Sequence, residues 1–182
     1  MTALPTAAWA YAVRGGVTAL LLAVTQFRAV KASSFRTFLS PLSLVLGLVV
    51  FAVWVAPESW IWEKGMTEES VYRPEVCGWA LTIAKLVASA LVISAAEELF
   101  FRKWLVEFAG FGWMLVLFGL EHMRFDLGYA RGSVFIAEGV FAGLCYGWLA
   151  KRYGILSAII AHAVTNFLLG LYVIFFDKWF YW

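Results

Sequence analysis

Charge is scarce in this chain. Only 14% of its 182 residues are Asp, Glu, Lys or Arg, where a soluble globular domain carries about 25%. That shortage excludes an ordinary soluble domain. The net charge is only +2, and no basic run occurs, so nothing marks a nucleic-acid footprint. Cysteine is nearly absent. Cys77 and Cys145 are the pair present, too few for a disulfide framework or a Cys-ligated metal centre. There is no Gly-rich phosphate loop, no dinucleotide fingerprint, no low-complexity segment and no internal repeat. The first apolar stretch, interrupted by Arg14, does not read as a cleaved leader.

What is present is hydrophobic. Apolar residues make up 63% of the chain, with sixteen Phe and ten Trp. Such a composition belongs to an integral membrane protein, with aromatic residues suited to interface belts. The expected fold is all-α, a polytopic membrane helix bundle forming a single domain over 1–182. A spanning helix needs about 20 mostly apolar residues, and this rule predicts about six. They run from about Trp9 to Phe27, Phe38 to Ala56, Leu81 to Trp104, Phe108 to Met123, Val134 to Ala150 and Ile155 to Phe176. Lys85 marks the start of the third. The polar, Trp-rich connection from Pro57 to Gly78 reads as an interfacial segment. Basic residues concentrate in the first, third and fifth loops, as Arg28, Lys31 and Arg36, then Arg102 and Lys103, then Lys151 and Arg152. The positive-inside rule puts those loops in the cytoplasm and both termini outside.

Within this apolar background a few polar residues stand out. Glu97 and Glu98 sit beside each other in the run Leu86 to Phe101, with Arg102 at its edge. A carboxylate at the centre of a membrane helix costs about 2.5–3.5 kcal/mol on insertion scales, so such residues face a protein interior or a wet cavity. Glu98 and Arg102 are four apart and share a helix face. Glu97 is turned about 100° away. One glutamate can thus be held by Arg102 while the other faces a cavity. His122 ends the fourth segment. His162 and Asn166, again four apart, share a face of the sixth, with Thr165 beside them. The chain has no other histidines.

Each of these residues also has a bland explanation. Glu98–Arg102 alone reads as a structural ion pair, His122 as interfacial, His162 as a satisfied core residue, and Asn166 as helix–helix glue. Glu138 has no visible partner and reads as bland or as a supporting contact. The combination is harder to dismiss, because all of them fall within so few apolar segments.

Taken in order, Glu97-Glu98-x-x-x-Arg102, Phe118-x-x-x-His122 and His162-x-x-x-Asn166 resemble the three-motif signature of the CAAX protease and bacteriocin-processing family. This family, also called CPBP or Abi, comprises glutamic-type intramembrane proteases. The stretch from Phe141 to His162 resembles the family's sequence before its last histidine. The match covers about 86–170, a catalytic CPBP-like core. The ending from Asn166 to Trp182 resembles a narrower branch of CAAX-protease-related proteins associated with exosortase and C-terminal protein sorting.

The resemblance implies an intramembrane endopeptidase in the bacterial inner membrane. It would hydrolyse a peptide bond near the C-terminal tail or membrane anchor of a membrane-bound substrate, by sorting-signal or CAAX-like processing. By position, Glu97 and His122 would hold the water, with Glu97 as general base. His162 and Asn166 would face the oxyanion. Glu98 and Arg102 would support Glu97. No cofactor is expected, and the partners are the bilayer and the anchored substrate. The runner-up is a zinc enzyme with Glu97, His122 and His162 as ligands, although no His-Glu-x-x-His helix is present. Two readings of other classes are a non-proteolytic Abi-type immunity or scaffold protein, and a small transporter using Glu97, Glu98 and Glu138.

Overall fold

The computed structural model describes residues 9–11, 13–21, 41–58, 70–124 and 128–182, with side chains in the last stretch described from 132. The first loop, the start of the second predicted span and Glu63, Lys64, Glu68 and Glu69 lie outside the described residues. Among those residues every regular element is helical. Helical turns at 9–11 and 13–21 form α1. α2 is Pro41–Val55 and α3 the short Pro74–Cys77. α4 runs as Trp79–Val87, Ala88–Ile93, Ser94–Glu98 and Leu99–Leu105 without leaving helical dihedrals. α5 is Val106–Glu121, α6 Gly128–Tyr153 and α7 Ile155–Phe176, followed by a 3₁₀ turn at Trp179–Tyr181.

Three helices are long and apolar enough to cross a membrane, Trp79–Glu121, Gly132–Tyr153 and Ile155–Phe176, with Pro41–Val55 a shorter apolar helix. The helical membrane bundle expected from composition is therefore the fold. The 43-residue stretch is two helices in practice. Gly110 adopts φ 82° and ψ 166°, a conformation in which a Cβ is strained, and this kinks the path inside the first turns of α5. Several boundaries differ from the sequence reading, and two bear on the site. α4 begins at Trp79, so Lys85 lies nearly two turns inside it rather than at its start. α6 extends to Tyr153, because Lys151 and Arg152 continue the helix until Gly154, at φ 93°, turns the chain directly into α7.

α7 is the centre of the bundle, packed against α2, α4 and α6, while α5 packs on α6. With no hydrophobic drive between helices in lipid, close packing depends on small residues. At Gly47 of α2, a Cβ would stand 2.7 Å from the Ala161 carbonyl oxygen on α7. The bare glycine lets the two backbones approach, and the Thr165 hydroxyl then reaches the Gly47 carbonyl at 2.9 Å. At Gly119 of α5, a Cβ would stand 2.6 Å from Val140 on α6. The core between these contacts holds Val50, Phe101, Met114, Phe118, Tyr146 and Leu149.

The chain after α7 folds back over one end of the bundle. Asp177 takes a left-handed conformation at the helix end. Lys178 pairs with Glu58, whose other oxygen accepts from Tyr172 at 2.8 Å. The Arg124 guanidinium donates to the Phe180 carbonyl at 2.7 Å. These bonds hold Tyr181 and Trp182 at the wall of a cavity between the helices.

Candidate active site

α4 supplies both glutamates, and its local geometry decides where they point. Positions four apart on an α-helix drift by about 40°, since each residue turns 100°. The turn Ala88–Ile93 is a π-helix, wider than an α turn, as often found at functional sites. Lower rotation per residue keeps Lys85, Ser89, Ile93 and Glu97 on one face. All four line a cavity of about 300 Å³.

Glu98, the next residue, points the other way. Its side chain is fully buried, and its Oε2 lies 3.1 Å from Nε of Arg102, itself 2% exposed. This is an ion pair without hydrogen-bond alignment, since neither atom has a hydrogen-bond partner among the described residues. The guanidinium is further held 4.0 Å above the Phe118 ring. The pairing expected from the i,i+4 spacing is present.

The other oxygen of Glu98 does something the spacing does not show. His162 Nδ1 donates to Glu98 Oε1 at 2.9 Å across the α4–α7 interface. Arg102, Glu98 and His162 thus form one buried chain. A carboxylate can only accept, so the bond places a proton on Nδ1 and leaves Nε2 facing Glu97, whose Oε2 is 3.8 Å away. The ring is stacked on Tyr146, 4.8 Å between centroids at 17°. The Tyr146 hydroxyl donates to Thr165 Oγ1 at 2.7 Å, and Thr165 donates in turn toward the Gly47 and Ala161 carbonyls. His162 therefore has little freedom to rotate.

His122 closes α5 at the cavity wall. Its Nδ1 donates to the Phe118 carbonyl at 2.7 Å, which fixes the tautomer and leaves Nε2 as the free nitrogen. The ring lies edge-on to Trp54 at 5.2 Å. Opposite it, Gly139 of α6 leaves only enough room for the imidazole, since a Cβ there would stand 3.1 Å from Nδ1.

Four residues expected at the site line the same cavity, namely Glu97, His122, His162 and Asn166. Glu98 and Arg102 stand behind it. Asn166 is the least free: its Nδ2 donates to the Ser89 carbonyl at 3.2 Å and to Ser94 Oγ at 3.0 Å, so both amide hydrogens are engaged on α4. Glu138 is 5% exposed and leaves Oε2 without a hydrogen bond among the described residues. No three His, Cys, Asp or Glu side chains among the described residues converge as a metal-ligand set.

Sequence reasoning gave no site role to Tyr146, Trp54, Glu121 or Lys85, all of which line the cavity. A signal existed for Tyr146. Glycines at 139, 143 and 147 mark a close-packed face of α6, and Phe135, Ala142 and Tyr146 lie next to it. Lys85 sits with its ammonium 3.9 Å from the Tyr11 ring centroid, 4.9 Å from Tyr72 and 5.8 Å from Trp182. Burial pushes the Tyr72 phenol above its ordinary value, so that wall of the cage is neutral.

Residues 78–168, half of the chain, match the family described as type II CAAX prenyl endopeptidase Rce1-like. No curated protein and no solved structure matches the chain. The matched span runs from the start of α4 to two residues past Asn166, and so contains every residue of the glutamate, histidine and asparagine motifs. The chain belongs to the Rce1-like type II CAAX prenyl endopeptidase family, and its general character is that of an intramembrane protease acting on a membrane-associated protein.

Proposed function

We propose that this protein is a multi-pass endopeptidase of the inner membrane that cuts near the C-terminal tail or anchor of its substrate, of the CAAX or sorting-signal kind, with Glu97 as general base. The observation that carries this reading is the convergence of Glu97, His122 and His162 on one cavity. In it, both imidazoles have Nδ1 occupied, and Nε2 of His162 lies beside Glu97. A water held between the Glu97 carboxylate and His122 Nε2 loses a proton to Glu97 as its oxygen attacks the scissile carbonyl carbon.

The oxyanion so formed needs donors. His162 already carries a proton on Nδ1, so an Nε2–H makes the ring an imidazolium flanked by Glu97 and Glu98. That N–H is the first donor. Asn166 is the second, once it releases Ser89 or Ser94. As the C–N bond breaks, Glu97 returns its proton to the leaving amine, and the new carboxyl terminus departs.

The deciding experiment is single-turnover cleavage of a membrane-anchored substrate by purified protein in nanodiscs. Glu97→Gln should abolish cleavage while the melting temperature holds. Metal content measured on the same sample separates the water mechanism from the zinc alternative. Stoichiometric zinc, lost together with activity on chelation and restored with it, would refute the metal-free version.

A further inference from the structure

A second cavity, of about 480 Å³, lies where α4 runs into α5 and α6 turns into α7. It shares no wall residue with the reactive cavity. Three cations, Arg102, Lys103 and Lys151, line it with a single acid, Glu107. The rest of its wall is apolar, including Val106, Phe111 and Ile155. Lys103 and Lys151 come from different helices, each near that helix's end, and both are exposed.

The inner wall adds a second observation. The Arg102 side chain is 2% exposed, and its Nε faces Glu98. Its Nη1 and Nη2 have no hydrogen-bond partner among the described residues, although a guanidinium carries five N–H donors. Nη2 lies against α6, where a Cβ at Gly143 would stand 3.8 Å from it. One turn on, Gly147 is part of the cavity wall, and a Cβ there would stand 2.8 Å from the Phe111 ring. The α6 face is thus glycine both beside the guanidinium and at the cavity.

Such a wall selects an anion, and its apolar part says which kind. A free ion has no use for Val106, Phe111 and Ile155, whereas the glycerol and first methylenes of a lipid do. A zwitterionic headgroup would bring its own ammonium against three cations, and that repulsion discriminates against it. A phosphodiester without a headgroup cation meets no such penalty. Helix ends that carry lysines also lie at the depth of lipid phosphates, and basic pockets between membrane helices hold anionic headgroups.

We propose that this cavity is a binding site for an anionic phospholipid, its phosphate held between Lys103 and Lys151 with Arg102 behind them. The site stands apart from the peptidase reading, although Arg102 joins it to Glu98 and, through Glu98, to His162.

The probe is purified protein in detergent with equal amounts of dioleoyl phosphatidylglycerol and dioleoyl phosphatidylcholine, bound lipid being counted by native mass spectrometry. The chains are identical, so any preference belongs to the headgroup. Each lysine near a lipid phosphate is worth about fivefold, so wild type should prefer phosphatidylglycerol by on the order of 25-fold. Equal retention of the two lipids by wild type overturns the proposal without any variant having to fold. Lys151→Gln should cut the preference about fivefold, and Lys103→Gln with Lys151→Gln should erase it. A preference that survives the double substitution overturns it too. Arg152 is exposed beside Lys151 but outside the cavity wall, so Arg152→Gln should leave the preference unchanged. A loss there equal to that in Lys151→Gln would mean diffuse surface attraction and no site. Inorganic phosphate at equal ionic strength should not displace the lipid. Displacement would make the ligand a soluble anion and refute the lipid assignment.

Discussion

Glu97 and Glu98 are neighbours in sequence and opposites in surroundings. Glu98 is fully buried, with one oxygen on Arg102 and the other on His162. Glu97 keeps a 20%-exposed side chain at the cavity, and its Oε2 has no hydrogen bond among the described residues. One backbone step on a helix separates a carboxyl group held by Arg102 and His162 from one that faces the cavity. The lesson concerns placement. On the proposed reading, a dry side paired to Arg102 and His162 fixes the helix, and a wet side that carries Glu97 faces the cavity. His162 joins the two, because Nδ1 belongs to the dry side and Nε2 to the wet.

The comparison breaks most sharply at Glu97. Glu97→Gln keeps the shape and removes the basic oxygen, and general-base catalysis is worth about 10²–10⁴ in rate. A fall of that size in single-turnover cleavage is expected, with the melting temperature within a few degrees of wild type. Retained turnover would mean that the wet side uses another base, of which Glu121, also at the cavity, is the first to test.

On the dry side the expected loss is of stability. Arg102→Ala leaves the buried Glu98 with only His162, and stranding one member of a buried pair costs about 3–5 kcal/mol. Thermal unfolding in detergent should show it as a large drop. Adding Glu98→Gln should recover part of the loss, because a neutral amide needs no counter-charge; the two effects are then non-additive in a double-mutant cycle. Additive losses would show that Arg102 serves the fold through Phe118 rather than through Glu98.

His122 tests whether the wet side needs more than Glu97. In His122→Asn the side-chain amide can still donate to the Phe118 carbonyl, but nothing replaces Nε2. Cleavage should fall by about a hundredfold, the low end for acid–base participation, with the fold intact. Unchanged cleavage would reduce His122 to a helix-end prop.

How much of this was legible follows from how local each interaction is. The Glu98–Arg102 pair is four residues apart, so helical phase alone shows it. The length and apolarity of α7 gave its bounds directly, Ile155–Phe176. The Glu98–His162 bond spans 64 positions, and no periodicity reports on a partner in another helix. The two π-helical stretches in α4, Ala88–Ile93 and Leu99–Leu105, were equally hidden, because the residue pattern leaves no trace of a wider turn. Lys85 was misjudged for a related reason: a lysine near a helix start looks like an anchor, and only the ring cage from three separate segments reveals its direction. Motif order brought Glu97, His122, His162 and Asn166 together, whereas the partner of each nitrogen lies on another helix or on the backbone and leaves no mark in the motifs.

The smallest expected effect is at Tyr146, where the dry side touches the wet one most indirectly. Tyr146→Phe keeps the ring stacked on His162 and removes only the hydroxyl bonded to Thr165. One lost hydrogen bond is worth about 0.5–1.5 kcal/mol, and Thr165 keeps its own donation to the Gly47 and Ala161 carbonyls. The melting temperature should therefore fall slightly and kcat should change by no more than severalfold. Tyr146→Leu, which removes the stacked face as well, should lower kcat further while Glu98 still holds Nδ1. If Tyr146→Phe alone stopped turnover in a well-folded protein, the hydroxyl would have to act in the chemistry, and the boundary between the two sides would run through Tyr146 rather than through His162.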